Sequence, residues 1–213
     1  MDRPTSPLIA QLAEALEPVR PIRMAHGLAL IALATAVTIA VVALVQGLWS
    51  GPAQGQAAAI FFIANGLIGL VGLASARAVV RMAVPRVGAR RDGARWLLAA
   101  LALLPVTALL FMAIEGNLAG HEHAADGLHC FLFGTASGLL VAVALLIWLR
   151  RGAPVAPNVA GLYTGIAAGA LGSFAWGLSC PVDTIAHLGI WHVAPVAVSA
   201  TMGRFIVPRC IRW

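Results

Sequence analysis

Charge is what this chain of 213 residues has least of. Charged residues make up 10% of it, where a soluble globular protein carries about 25%. Lysine is absent, so all 14 basic residues are arginine. Hydrophobic residues reach 61%, more apolar surface than a domain this small can hide from water. These shortages exclude a soluble enzyme and a disordered tail. Three cysteines are too few for a disulfide-dense secreted module. The sequence also lacks a CxxC or HExxH motif, a nucleophile motif, a phosphate-cradling glycine loop and a pair of buried carboxylates. Ionisable residues are nearly missing from the interiors of the apolar runs, where membrane proteases and transporters usually need them.

What is present is hydrophobic length. A membrane-crossing helix takes about 20 mainly apolar residues. Six such runs are predicted, at Gly27 to Leu48, Ala57 to Val80, Trp96 to Ile114, Cys130 to Leu149, Val159 to Leu178 and Ile185 to Val207. The arginines sort between them. Arg3, Arg20 and Arg23 precede the first run, and Arg77, Arg81, Arg86, Arg90, Arg91 and Arg95 surround the second loop. Arg150 and Arg151 fill the fourth loop, and Arg204, Arg209 and Arg212 the carboxyl end. The first, third and fifth loops have no basic residue and carry Glu115, Glu122, Asp126 and Asp183. By the positive-inside rule, both termini are expected in the cytoplasm and three short loops outside. The net charge of +6 therefore reads as topology, not as a nucleic-acid surface. Trp49, Trp96, Trp148 and Trp191 fall near expected span ends, where interfacial tryptophans belong. The expectation is an all-α polytopic membrane protein: residues 1–23 a cytoplasmic amphipathic arm with no cleavable leader, residues 24–213 a six-helix transmembrane bundle.

Within the arm, Ser6-Pro7 is a good helix start. Leu8, Leu12 and Leu16 follow at four-residue spacing before Pro18 stops the helix. Such a short amphipathic helix is marginal alone, and it either lies under the bundle or docks a partner. In the fifth run Gly161, Gly165, Gly169, Ser173 and Gly177 recur every four residues. This small face invites a closely packed helix. Cys130, Gly134 and Gly138 in the fourth run have the same spacing, and the short connecting loop makes that run the expected neighbour.

If those faces meet, Cys130 and Cys180 arrive at the same depth on the outer side, while Cys210 lies at the opposite end. A disulfide there is feasible if their Cα atoms come within about 7 Å. Asp183 and His187 share a face if the sixth helix begins near Pro181. On a continuous helix His192 is rotated from His187 by more than about 100°. His121, Glu122, His123, Asp126 and His129 lead into Cys130 from the third loop. Thiolate with imidazole is a zinc- or copper-type donor set that carboxylates can join. From the residues alone, three readings stay open: a static disulfide or capping network, a redox- or metal-responsive site, and no shared site.

Four segments add a resemblance. "LAEALEPVRPIR", "LRRGAPVAPNVAGLYTGIAAGALG", "LSCPVDTIAHLGIWHV" and "MGRFIVPRCIRW" resemble the NrsF-type family, six-span bacterial inner-membrane negative regulators of extracytoplasmic-function (ECF) sigma factors. The likeness covers almost the whole chain and is most specific from Leu149 to Trp213. It implies an anti-sigma factor, not an enzyme, whose cytoplasmic face holds a sigma factor until heavy-metal or oxidative stress releases it. Two outer cysteines serve that response in the family, and they match Cys130 and Cys180. His187, Trp191 and His192 match a terminal pattern without an assigned role, and the tract from His121 to His129 has no counterpart in it. The expected partners are thus a cytoplasmic ECF sigma factor and the lipid bilayer, with no direct nucleic-acid contact. Leu8, Leu12, Leu16, Val19 and Arg20 are the candidate sigma-binding residues, with the basic second loop available to steer an acidic partner. Cys130 and Cys180 are the candidate sensing pair, with His129, Asp183, His187 and His192 as supporting ligands for a thiophilic metal ion. The alternative is a transporter or metal-handling protein that uses the outer His/Cys cluster as its entry site.

Overall fold

A computed structural model describes residues 22–84, 92–114 and 124–211, together with Ile9, Gln11 and Glu14 of the arm. These three arm residues are helical. The candidate docking residues Leu8, Leu12, Leu16, Val19 and Arg20 lie outside the described residues, as do His121, Glu122 and His123. Eight helices follow: α1 (Met24–Gln46), α2 (Ala59–Met82), α3 (Asp92–Ile114), α4 (Ala124–Ser137), α5 (Leu139–Arg150), α6 (Pro157–Gly177), α7 (Ile185–Trp191) and α8 (Ala194–Cys210). No strand occurs among the described residues.

They make six stretches long and apolar enough to cross a membrane, as expected from the six runs. α1, with 23 residues, is about 35 Å long at 1.5 Å per residue, enough for a hydrocarbon core of about 30 Å. α1 ends before Gly47, whose φ of 77° suits a residue without a Cβ. The fourth stretch is one 26-residue span with a local defect at Gly138, where α4 passes into α5.

The sixth stretch departs from the expected single helix. It begins at Ile185, as the predicted run does, with Thr184 capping it by accepting the His187 backbone N–H at 3.3 Å, so the condition of a start near Pro181, under which Asp183 would share a face with His187, is not met. It then breaks at His192 and Val193 before α8 starts. Pro195 sits at the start of α8, and its missing N–H removes the bond that would have continued α7 through Trp191.

α6 is the axis of the bundle. Of its apolar window 83% is buried, and no other span exceeds 50%. It packs most extensively on α8, then on α2 and α4. The fourth span packs on α6 as expected, but Gly161, Gly165 and Gly169 face α8 and not the fourth span, which corrects the expected face. A Cβ at Gly165 would collide with the Ser199 carbonyl, and one at Gly161 or Gly169 would meet Gly203 or Pro195. Gly134 and Gly138 of the fourth span pack instead on Ala168, Gly172 and Ser173. A face of small residues specifies that a backbone comes close, not which backbone. α6 has two such faces.

The two ends of the bundle are built differently. At one, Ile22, Met24, Ala83, Trp148, Leu149 and Ile211 share an apolar cluster, and Arg150 Nε donates to the Cys210 carbonyl at 2.9 Å. The beginning of α1 and the end of α8 therefore lie together. Trp148 belongs to this packing. It is 2% exposed and its Nε1 donates to the Val80 carbonyl at 3.2 Å, so it is a core residue, not the interfacial one expected. Trp96 is exposed. At the other end, the Trp49 N–H donates to the Leu178 carbonyl at 3.1 Å, beside the cluster formed by Val42, Cys130, Ala175, Trp176 and Cys180.

Candidate functional site

The site is assembled by three connections at the arginine-poor end. Cys130 occupies the second turn of α4. Cys180 follows α6 after a tight turn in which the Cys180 N–H donates to the Gly177 carbonyl at 3.2 Å. Because Gly134 and Gly138 let the fourth span lie against α6, the two sulfurs are brought to 3.5 Å. That is a thiol–thiol contact, well beyond the ~2.05 Å of a disulfide, and both cysteines are free. Both are buried. The hydrogen bond with Cys130, reinforced by burial, holds the Cys180 thiol above its ordinary range, since a second negative charge beside the first sulfur is unfavourable.

The histidines come from the interrupted sixth span. His187, one turn into α7, places Nε2 3.4 Å from Cys180 Sγ. On an unbroken helix His192 would face elsewhere; the break turns its ring back to 5.4 Å from that of His187, centroid to centroid. Cys130, Cys180, His187 and His192 thus offer donor atoms all within 4.8 Å of one another, and all four residues are buried. The His192 carbonyl, freed at the break, accepts a hydrogen bond from Ser173 Oγ at 2.7 Å. That hydroxyl also lies 3.5 Å from His192 Nδ1. Ser173, expected only as a small packing residue, ties the histidine to the central helix.

Two proposed supporting ligands are elsewhere. His129 lies outside the four-residue group and packs its ring at a tilt against Phe133 and Trp176, at centroid separations of 4.4 and 5.4 Å. Asp183 turns to the first loop, where its Oδ2 accepts the Ala58 backbone N–H at 2.6 Å. Ala58 caps the start of α2, so the carboxylate sits where a helix N-terminus favours negative charge. Asn65 was not anticipated. It is buried, and a Cβ added at Gly177 would press on its Oδ1 and come within 3.4 Å of His192 Nδ1. Gly177 therefore makes room for the polar cluster. A buried Asn on an apolar helix was the available signal for a polar neighbour.

Chemically, this end offers two reactions: an external two-electron oxidant can join its thiol pair as a disulfide, or the donors can gather a soft cation. Among the described residues, buried polar side chains away from it are neutral, such as Thr38, Ser75 and Thr164. They provide no charged path between the ends.

Comparison with known proteins adds an independent line. Residues 12–213 match the family model described as negative regulator of sigma F. The chain is 30% identical to the anti-sigma-F factor NrsF of Caulobacter vibrioides over 216 residues, covering 97% of this chain and 96% of that protein. It is 27% identical to the probable anti-sigma-F factor NrsF of Azospira oryzae over 161 residues, covering 72% and 73% of the two chains. No solved structure matches it.

Proposed function

This chain belongs to the family of negative regulators of sigma F, as an anti-sigma factor, and on that premise we propose how it holds and releases its partner. It is a multi-pass protein of the bacterial inner membrane that sequesters a cytoplasmic ECF sigma factor. A chemical change at the outer Cys130–Cys180 pair lets that partner go. The observation that carries the reading is the 3.5 Å approach of two buried thiols at the end of the bundle without arginine. Support for the orientation comes from the charge bias, with the arginine-bearing end inside.

Holding falls to the inner side. The arm, with Leu8, Leu12, Leu16 and Val19 as apolar anchors and Arg20 as a charged contact, docks the sigma factor as an amphipathic helix would. The arginines of the second loop speed encounter with an acidic surface.

Release begins outside. A thiophilic cation binds the sulfurs, or a peroxide-class oxidant joins them, with two electrons passing to the oxidant and two protons leaving the thiols. Either event changes how α4 and the α6–α7 turn sit together. The route inward is α8, which starts at the His192 break and runs along the glycine face of α6 to Cys210. A signal shifts the equilibrium only by as much as its affinity differs between the holding and releasing arrangements.

The test is recovery of the sigma factor with the full-length protein from membranes. With Cys130→Ser and Cys180→Ser combined, the complex should be recovered as before without stress and should persist during cadmium or peroxide treatment. Normal stress-induced release from this variant would remove the sensing role. Leu12→Asp should free the sigma factor without any signal; undiminished recovery would move the docking surface off the arm.

A further inference from the structure

Two thiols account for a redox pair, but not for two imidazoles buried with them. His187 is 3% exposed and His192 is fully buried, and such rings are costly to bury with unpartnered nitrogens. Each has one nitrogen engaged, His187 Nε2 by Cys180 and His192 Nδ1 by Ser173. The remaining nitrogens, His187 Nδ1 and His192 Nε2, have no hydrogen-bond partner.

We propose that Cys130, Cys180, His187 and His192 form a closed four-coordinate site for one divalent cation of the zinc and cadmium class, with both histidines as direct ligands. Tetrahedral zinc has bonds of about 2.3 Å to sulfur and about 2.0–2.1 Å to nitrogen, which sets donor–donor edges of roughly 3.3–3.8 Å. The sulfur–sulfur separation of 3.5 Å and the sulfur–nitrogen separation of 3.4 Å already fall in that range. All four donors lie within 4.8 Å of one another, so only the longer edges must contract.

The donor type selects the metal. Thiolate and imidazole suit zinc-like ions and disfavour magnesium or calcium, which take oxygen ligands. Charge selects the valence. Two thiolates and two neutral imidazoles sum to a charge of −2, so a divalent ion leaves a neutral centre, the form that is cheapest to bury. On binding, two S–H bonds break, two metal–sulfur bonds form and two protons pass to solvent; no electron moves. Four protein ligands leave no open position, which makes the site structural or sensory, not catalytic. Ser173 orients the His192 ring, as outer-shell partners of metal-binding histidines do. The link from binding to sigma release rests on the function proposed above; the binding itself does not.

The experiment titrates Cd²⁺ and, separately, Co²⁺ into the purified full-length protein in lipid nanodiscs. The readouts are thiolate-to-metal charge transfer and the visible cobalt spectrum. The expected result is one ion per chain and a tetrahedral cobalt spectrum, with His187→Ala and His192→Ala each weakening cadmium binding by about 100-fold or more, beyond the ~10–100-fold of an outer-shell loss. His129→Ala and Asp183→Asn should bind as the parent does. Cadmium affinity unchanged in both histidine variants would overturn the proposal, leaving a two-thiol site. Because a histidine variant can fail to fold, the parent's cobalt spectrum is a separate criterion, and an octahedral spectrum also overturns it. Assaying sigma recovery on the same samples separates the two readings. Tight tetrahedral binding without release keeps the site and defeats the sensing role, as does cadmium-induced release from histidine variants that have lost binding; release that accompanies an octahedral cobalt spectrum, or unchanged affinity in both histidine variants, keeps the sensing role and defeats the site.

Discussion

The two ends of this bundle are held by different physics. At the arginine-bearing end, Trp148, Leu149, Ile211 and their neighbours are joined by apolar packing, with backbone-directed hydrogen bonds from Trp148 and Arg150. Nothing in that set changes charge or covalent state near neutral pH. At the other end two thiols and two imidazoles, all buried, perform the same joining task between the fourth, fifth and sixth spans. Sulfur and imidazole respond to cations and oxidants; leucine and tryptophan do not. Under the proposed function, a protein that stays folded while reporting on its surroundings needs both kinds of joint, and α6 and α8 are in contact between them.

The comparison breaks most completely where α6 meets α8, because that contact serves both ends. Gly165→Leu would drive a side chain into the Ser199 backbone, where no rotamer relieves the clash. Its cost should exceed the ~1–3 kcal/mol of ordinary overpacking. Yield of monodisperse protein and thermal unfolding in detergent should both collapse, taking sigma recovery and cadmium binding with them. Retention of either would mean the two ends do not share this axis.

Gly177→Ala is the next test and should separate fold from site. Its methyl group would push on Asn65 and approach His192, a disturbance beside the donors. Cadmium affinity should fall by about 10–100-fold while the unfolding temperature moves little; equal losses in both would make Gly177 a general packing residue. The smallest effect belongs to the inert end. Trp148→Phe removes the hydrogen bond to Val80 and should cost about 1 kcal/mol by thermal unfolding. It should leave cadmium affinity and stress-induced release unchanged, and altered release would show that this end also tunes the switch.

How much of this was legible in the sequence follows from the range of each interaction. Six spans could be read because hydropathy is a property of each segment by itself. Cys130 and Cys180 could be matched because both sit beside small faces at the same end. The partner of the Gly161–Gly165–Gly169 face could not, since glycine spacing says nothing about which helix arrives. His192, expected among the supporting ligands, does join the group, but by a route that the sequence spacing hides. Helical periodicity rotates it away from His187, and only the interruption ahead of Pro195 brings it back. Pro195 is the sequence signal for that break. Asp183 and His129 looked like ligands by proximity in sequence, but the first loop and the Phe133–Trp176 stack claim them instead.

In the proposed mechanism, occupancy of the sulfur–imidazole end governs sigma holding at the arginine end. The most direct measurement is one cadmium titration of the intact sigma complex in nanodiscs, recording charge transfer at the thiolates and the fraction of sigma factor still bound. Both signals should change together, with a common midpoint and one ion per chain. A sigma factor that leaves before the thiolates are occupied, or stays after they are saturated, would contradict it.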